Sequence, residues 1–197
     1  IVVIFVNKAL KMHGGDLNIG AYGIINRVVM LFIMIVLGLN QGMQPIVGYN
    51  YGAKQYDAMG KAIHTAIALG LVTGVVLTVA GVALTPLILQ WMGTPAEVMP
   101  QSVAYFRYYF CGAIFTVMYN IFVGILHAVG DSRHPLYYLI FSTCLNIVLD
   151  MLFVAVLGFG VGSAAIATTV SQGVSAALCF LHLLRIDAPY RVSVKEI

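Results

Sequence analysis

Charged side chains are scarce in this chain of 197 residues, where they make up 9% of the total. Soluble domains carry roughly 25% charged residues, because charge covers their water-facing surface. The scarcity therefore excludes an ordinary soluble domain, and the high apolar content excludes a disordered chain. The net charge of +3 is small and scattered along the sequence, so it does not indicate a nucleic-acid partner.

Cysteine is also scarce, and Cys111, Cys144 and Cys179 all lie inside apolar runs. No pair of them has the spacing of a metal site or of a redox motif, so we interpret them as small core residues. The sequence contains no nucleophile motif around a serine and no phosphate-binding loop in its usual context. Nothing in it supports an enzyme, and no cofactor is expected.

Histidine is present without a recognisable ligand pattern. His64 and His134 fall in predicted connections and are expected to be solvated. His127 and His182 fall at the ends of predicted spans, where a lone histidine more often packs and forms a hydrogen bond than binds a metal. No zinc-ligand spacing links the histidines to a cysteine or an acid, so no metal site is predicted.

Hydrophobic residues make up 61% of the chain, and the mean hydropathy is +0.96. Apolar runs of about 20 residues favour membrane-spanning helices over barrel strands, whose runs are roughly 10 residues long. Glycine and proline separate six apolar segments, which are residues 1–12, 21–40, 61–92, 103–129, 136–157 and 163–185. The sequence therefore predicts an all-α, polytopic membrane bundle of about six transmembrane helices, the first of which is truncated at Ile1.

The predicted bundle comprises residues 1–186 as a single six-helix transmembrane unit, and residues 187–197 are a polar tail or linker. Basic residues indicate its orientation, because cytoplasmic connections carry an excess of lysine and arginine. Connections two and four and the tail hold six of them against three on the opposite side, namely Lys54, Lys61, Arg133, Arg185, Arg191 and Lys195 against Lys8, Lys11 and Arg107. The C-terminus is therefore predicted to be cytoplasmic.

Asp150 is the one acidic residue inside a strong predicted span. A carboxylate at that depth costs several kcal/mol unless it is paired, hydrated or protonated. Asn146 lies four residues earlier, so both side chains emerge from one helix face. Their oxygen atoms suit a small cation, and the amide would equally support a carboxyl group that carries a proton. The alternative is a structural Asp150, bonded to a hydroxyl or an arginine of a neighbouring helix.

Polar residues also mark the last predicted span. Thr168, Gln172 and Ser175 share one helix face, and their spacing alone favours a packing face of small and polar residues. Thr168 would join a site only if it faced Asp150. Methionine and aromatic side chains elsewhere could line an adaptable cavity, although core or lipid-facing packing is their more frequent role. These residues are Met30, Phe32, Met34, Met43, Tyr119 and Phe122.

Three stretches, in order along the chain, resemble the multidrug and toxic compound extrusion (MATE) family. They are residues 41–54 (QGMQPIVGYNYGAK), residues 130–138 (GDSRHPLYY) followed by 145–150 (LNIVLD), and residues 160–172 (GVGSAAIATTVSQ). Members of this family are cation-coupled antiporters of 12 helices, built as two similar six-helix halves around a central cleft. Residues 6–57 look most like the start of the family's second half, and residues 124–172 look most like the end of its first half. The resemblance is therefore compatible with a hybrid, with a divergent single half, and with a piece whose partner half is absent.

The resemblance implies a cation site. In the family's first half, an Asn and an Asp four residues apart on the fifth helix contribute to this site. A Thr eighteen residues after the Asp joins it in some members. Asn146, Asp150 and Thr168 match these positions. The family also uses an acid on helix one, and Ile1 or Val2 falls about where that acid would be, so the matching site is incomplete.

The resemblance further implies one half (lobe) of a drug exporter, multi-pass in the inner (plasma) membrane among lipid, with a second six-helix half as its partner. Cationic or amphipathic small-molecule drugs would contact Tyr119, Met30 and Met34. Na⁺ or H⁺ at Asp150 would favour one conformation and weaken drug binding, which is alternating access. A lipid-linked-oligosaccharide flippase and a non-transporting membrane scaffold stay open as alternatives. A flippase needs several cationic residues to meet a pyrophosphate, and Arg27 is the only basic residue well inside a span.

Overall fold

The computed structural model describes residues 27, 30–91, 93–97, 99–152 and 162–192, which form helices and no strand. Six helices follow one another along this part of the chain: α1 (Met30–Gly52), α2 (Tyr56–Trp91), α3 (Met99–Cys111), α4 (Ala113–Ala128), α5 (Arg133–Asp150) and α6 (Gly162–Arg185). The prediction of an all-α helical membrane bundle is therefore confirmed. The expected first segment, at residues 1–12, lies outside the described residues, as do residues 153–157 of the fifth.

The first long helix extends further than the sequence pattern predicts. The apolar run ends at Asn40, but α1 continues through Pro45 to Gly52. Proline lacks the N–H that a helix interior normally uses, which leaves the carbonyl of Gln41 without that donor. Both Pro45 and Gln41 are exposed, so the carbonyl that lacks this donor belongs to a residue on the surface of the bundle. The helix therefore tolerates a residue that usually ends one.

One predicted segment, at residues 103–129, forms two helices instead of one. α3 and α4 meet at Gly112 and are bent by 46° relative to each other. Thr169 of α6 lies so close to Gly112 that a Cβ there would overlap the threonine side chain. The Thr169 hydroxyl also donates to the carbonyl oxygen of Tyr108 at 3.3 Å, which gives that helix-end carbonyl a partner. The break thus depends on a contact with a helix distant in sequence.

The helices differ in how well they could span a membrane. α2 has 36 residues, and a helix of that size is about 54 Å long, against a hydrocarbon core of about 30 Å. Within the described residues, α1, α2 and α6 are long and apolar enough to cross, and the bent α3–α4 pair supplies a fourth span if it is counted as one. α5 has 18 residues and continues as a π-helical turn at Met151 and Leu152.

The core lies around α4, which packs between α2 and α6. Gly70 and Gly74 of α2 are buried where a Cβ would meet Ile121 and Ile114 of α4. The absence of side chains at these glycines lets the two helices approach closely, as small residues do in membrane bundles. Large side chains that are almost fully buried fill the surrounding space, among them Ile63, Ile67, Leu89, Phe106, Val117, Ile125 and Leu126.

The cysteines do not all lie in the core. Cys179 of α6 is buried, as predicted, whereas Cys111 and Cys144 are exposed. The interpretation of these two as core residues is wrong, because each lies on an outward face of its helix. In a membrane protein such a face can contact lipid, where a small apolar thiol is as compatible as it is in a protein core. The amino-acid composition alone therefore does not distinguish a cysteine in the protein core from one that contacts lipid.

Several helices end together at one end of the bundle. Gly48, near the end of α1, lies against the carbonyl oxygen of Ala128 at the end of α4. Tyr51 of α1 contacts Tyr190 edge to face, with ring centroids 6.1 Å apart. Val192 is buried and donates its backbone N–H back to α6. Residues 187–192 of the predicted tail thus pack on the bundle, while residues 193–197 lie outside the described part. Basic residues at this end are Lys54, Arg133, Arg185 and Arg191.

Candidate functional site

Polar side chains line the contact between α5 and α6. Ser142 donates its hydroxyl to the backbone carbonyl oxygen of Ser171 at 3.4 Å. The side-chain amide of Asn146 donates to the hydroxyl of Thr168 at 3.3 Å. One turn forward along α5 therefore corresponds to about one turn back along α6. The two helices run antiparallel in a register that places Asn146 against Thr168.

Asp150 lies four residues after Asn146, about 6 Å further along the axis of α5. It is half-buried, and its Oδ1 atom is buried without a hydrogen-bond partner among the described residues. It is the last α-helical residue of α5, and the chain continues as a π-helical turn at Met151 and Leu152. The antiparallel register sets it opposite the first turn of α6, at residues 162–164. At the other end of this contact, the Oε1 atom of Gln172 is also buried and has no hydrogen-bond partner within the described ranges of the chain.

These residues offer oxygen ligands of three kinds, from a carboxylate, an amide and a hydroxyl. A buried carboxylate oxygen that lacks a donor is costly, and a proton or a cation offsets that cost. Small hard cations prefer oxygen ligands of these kinds. The structure brings the three residues named from the sequence to one interface, with Asn146 in contact with Thr168 and Asp150 one turn away.

The three residues expected to contact drug do not lie together. A cavity of about 700 Å³ lies between α1 and α2, and Met34 lines it. Met30, one turn earlier, is 64% exposed and does not line this cavity. Tyr119 of α4 is buried in the core. The other lining residues are Ile35, Gly38, Leu39, Gly42, Met43, Ile46, Lys61, Ala62, Thr65, Ala66, Leu69, Thr73 and Ile121.

A second polar cluster lies at the end of the bundle where the basic residues gather. Asp131, in the α4–α5 turn, pairs with His134, with 2.6 Å between Oδ2 and Nδ1. The ring of His134 lies next to that of His182 in the last turn of α6, with centroids 4.3 Å apart. One ligand atom of each residue lies within 4.8 Å of the others. We call Asp131, His134 and His182 the Asp–His–His cluster.

Sequence reasoning missed this cluster. The sequence predicted a solvated His134. Its side chain is indeed 46% exposed, but it also forms an ion pair or hydrogen bond with Asp131. Partial burial on its own raises the pKa of Asp131, but hydrogen bonds with His134 and with the backbone N–H of Arg133 hold that pKa below its usual range. His182 enters the cluster from another helix, so the only local signal is an acid and a histidine three residues apart where α5 begins.

Comparison of the sequence with known proteins identifies relatives. The family model MatE matches residues 1–152. The chain is 31% identical over 161 residues to the probable multidrug resistance protein YpnP of Bacillus subtilis (strain 168). It is 33% identical over 165 residues to the probable multidrug resistance protein YoeA of the same organism. These matches cover 82% and 80% of this chain but 36% of each relative, so the chain spans just over a third of their length.

Solved structures resemble nearly the whole chain. A multidrug resistance MATE family transporter in an outward-facing conformation matches with a TM-score of 0.88 at 26% identity, over 98% of this chain and 43% of that one. An inward-facing one matches with a TM-score of 0.83 at 27% identity, over 90% of this chain and 41% of that one. These relatives are transporters rather than enzymes. The match over residues 1–152, the relatives above 30% identity and the shared fold show that this chain belongs to the MATE family.

Proposed function

We propose that this protein works as one six-helix half of a cation-coupled antiporter that exports cationic or amphipathic drugs by alternating access. Its relatives YpnP and YoeA are probable multidrug resistance proteins, which supports drugs as the substrate class. The chain covers 36% of the length of YpnP and 43% of the outward-facing transporter. These fractions support a second six-helix half as the partner that completes the cleft.

Asp150 is the proposed binding group for the coupling ion, Na⁺ or H⁺. Its Oδ1 atom is buried and has no hydrogen-bond partner in the described part of the chain, so a proton or Na⁺ at that atom stabilises the carboxyl group. Asn146, which contacts Thr168 at 3.3 Å, offers further oxygen ligands one turn away. The unpartnered carboxylate oxygen beside the Asn146–Thr168 pair is the observation that carries the proposal.

Coupling follows from a difference in affinity between two conformations. A cation that neutralises Asp150 removes a negative charge that favours a cationic drug, so the ion stabilises the conformation with the weaker drug affinity. The chain resembles both an outward-facing transporter, with a TM-score of 0.88, and an inward-facing one, with a TM-score of 0.83. Similarity to both states supports a half that moves as a nearly rigid body against its partner.

The cavity between α1 and α2 is the proposed drug-contacting surface of this half. Its volume of about 700 Å³ lies within the range of about 300–1,000 Å³ that is typical of small-molecule sites. Met34 and Met43 line it, and flexible thioether side chains adapt to apolar ligands of different shape. Contacts of Met30 and Tyr119 with drug stay predictions, because neither residue lines this cavity.

In this proposal, the end of the bundle that carries the basic residues faces the cytoplasm, and the protein resides in the inner (plasma) membrane. Lys54, Arg133 and Arg185 lie in connections or at helix ends on that side. Cytoplasmic connections of membrane proteins carry an excess of such residues. The C-terminal segment packs on the same end, so it is cytoplasmic as well.

Replacing Asp150 by Asn tests the proposed function, because the amide keeps the size of the side chain but cannot exchange a proton or carry the charge. The measurement is drug export by the transporter in proteoliposomes under an imposed Na⁺ or proton gradient. We expect the response of export to the gradient to fall by about 5- to 150-fold, the usual size of a coupling between two sites. Asp187→Asn, at an exposed residue of the C-terminal segment, is the matched control and should export normally. Gradient-driven export at the wild-type rate by Asp150→Asn contradicts the proposal.

A further inference from the structure

We propose that the Asp–His–His cluster binds one Zn²⁺ ion, which ties the α4–α5 turn to the last turn of α6. Asp131 and His134 lie at the start of α5, and His182 lies near the end of α6. The site is separate from the contact between Asn146 and Thr168. The proposal therefore does not depend on drug export.

The ligand types and their spacing suit zinc. Zn²⁺ binds imidazole nitrogen and carboxylate oxygen atoms at about 2.0–2.2 Å. One such atom from each residue of the cluster lies within 4.8 Å of the other two. In a tetrahedral site with bonds of about 2.1 Å, neighbouring ligand atoms are about 3.4 Å apart, so each side chain needs to move by about 1 Å or less.

The carboxylate of Asp131 is already oriented by the backbone. Its Oδ1 atom accepts the backbone N–H groups of Arg133 and His134, each at 3.2 Å. The other oxygen, Oδ2, forms a hydrogen bond with Nδ1 of His134 at 2.6 Å, and a bound ion would replace the proton between these two atoms. Metal ligands are typically held in this way by hydrogen bonds to their second atom, which lowers the cost of assembling the site.

His182 supplies an independent observation from a different helix. Its Nε2 atom is buried and has no hydrogen-bond partner in the described residues. Buried polar atoms nearly always have a partner, so an unpaired ring nitrogen next to an acid and a second histidine points to a ligand there. Tyr138 of α5 packs on the His182 ring at 6.1 Å between centroids, which holds the ring in place.

The cluster is open to water on one side. The side chain of His134 is 46% exposed and that of Asp131 is 17% exposed. An ion can therefore reach the site from the aqueous face of the bundle, and a water molecule can take the fourth position, as in zinc sites with three protein ligands. Because its ligands come from two segments of the chain, the bound ion stabilises the folded bundle by mass action.

Calorimetric titration of ZnCl₂ into the purified, metal-free protein in detergent tests this proposal. We expect one saturable site per chain in the wild type. His134→Gln and Asp131→Asn should each weaken Zn²⁺ binding by at least about tenfold, which is the lower end of the loss seen when even the groups that support a ligand are removed. His127→Gln, on an exposed residue at the end of α4, is the matched control and should bind as the wild type does.

A second readout is the Zn²⁺-dependent rise in the melting temperature, which should occur in the wild type and in His127→Gln and be lost in His134→Gln. His182→Gln should also lose binding, provided that circular dichroism and size-exclusion chromatography show it folded. If His182→Gln does not fold, His134→Gln still tests the proposal, because the His134 side chain is partly exposed. Wild-type protein without saturable Zn²⁺ binding, or equal affinity in the wild type and His134→Gln, overturns the proposal.

Discussion

Asn146 of α5 donates a hydrogen bond from its side-chain amide to the hydroxyl of Thr168 on α6, at a distance of 3.3 Å and across a sequence separation of 22. Because the amide nitrogen of Asn146 forms this hydrogen bond, the amide oxygen is the atom that could bind a cation. Asp150, one turn further along α5, has a buried carboxylate oxygen without a partner in the described part of the chain. In the proposed cation site, this contact orients the amide oxygen of Asn146 as a ligand beside the acid.

Replacing Thr168 by Val removes the hydroxyl and keeps the shape of the side chain. We expect the apparent affinity of transport for the coupling ion to fall by about tenfold or more, as it does when groups that orient a ligand are lost. The free energy of unfolding should fall by only about 0.6 kcal/mol, the average for hydrogen bonds between membrane helices. Transport measured over a series of Na⁺ concentrations and pH values, together with thermal unfolding in detergent, gives both quantities.

Thr143→Val is the matched control for this prediction. Thr143 is an exposed residue of α5 whose hydroxyl donates to the carbonyl of Leu139 in its own helix at 2.8 Å. It should leave the response to the coupling ion unchanged. If Thr143→Val and Thr168→Val respond to the ion alike, the contact with Asn146 has no part in ion binding.

Replacing Gly112 by Ala should destabilise the bundle. A Cβ at this position overlaps the side chain of Thr169, so α6 or the α3–α4 break has to shift. Overpacking of this kind costs about 1–3 kcal/mol. Gly60→Ala is the control, because no atom lies within 4 Å of its Cβ position. That change should stabilise α2 slightly, since alanine favours helix over glycine. Unfolding of both variants in detergent measures the difference, and equal stability would contradict the assigned contact.

Replacing Lys54 by Gly should stabilise the protein. Lys54 has a φ of 57° where α1 ends, and the N–H of Gln55 returns to the carbonyl of Asn50 at 2.9 Å. Glycine usually occupies this position of a helix end, as Gly130 does after α4 with a φ of 84°. The substitution should add about 1 kcal/mol to the free energy of unfolding, because a left-handed conformation costs about 1–2 kcal/mol in other residues. Lys61→Gly, inside α2, should lower it instead, and a loss of stability in Lys54→Gly would refute this prediction.

Cysteine labelling tests the predicted orientation. In a variant without the three native cysteines, we place a single cysteine at Ser132 or at Glu97, which are exposed at opposite ends of the bundle. A maleimide that does not cross membranes should label Glu97→Cys in intact cells and Ser132→Cys only after permeabilisation, because the basic end is assigned to the cytoplasm. The reverse pattern of labelling would show that the bundle is inserted the other way.

Much of the fold could be predicted from the sequence because its signals are local. Long apolar runs predict spanning helices from residues that are neighbours in the chain. Asn146 and Asp150 share a face by their spacing of four, which any helix at this position imposes. The MATE-like stretches are likewise local in the chain, and the family match over residues 1–152 includes those at 41–54, 130–138 and 145–150 but ends before the one at 160–172.

The features that sequence reasoning missed depend on contacts between distant segments. The break at Gly112 requires Thr169 of α6, and the Asp–His–His cluster requires His182. Drug-contacting residues are hard to identify from the sequence for a different reason. The side chains of Met34 and Tyr119 are both compatible with a protein core, with lipid contact and with a cavity wall. Only the packing of the helices shows that Met34 lines a cavity and that Tyr119 is buried in the core.

Drug affinity measured against Na⁺ concentration and against pH tests the central claim about Asp150 most directly. Reciprocal coupling requires that the ion that drives export also weakens drug binding. In the wild type and in Asp187→Asn, we expect the drug Kd to rise as the concentration of that ion increases. Whether Na⁺ or H⁺ has this effect also identifies the coupling ion. In Asp150→Asn, the Kd should stay constant across the series. A drug affinity that responds to the ion in Asp150→Asn as it does in the wild type would contradict the account.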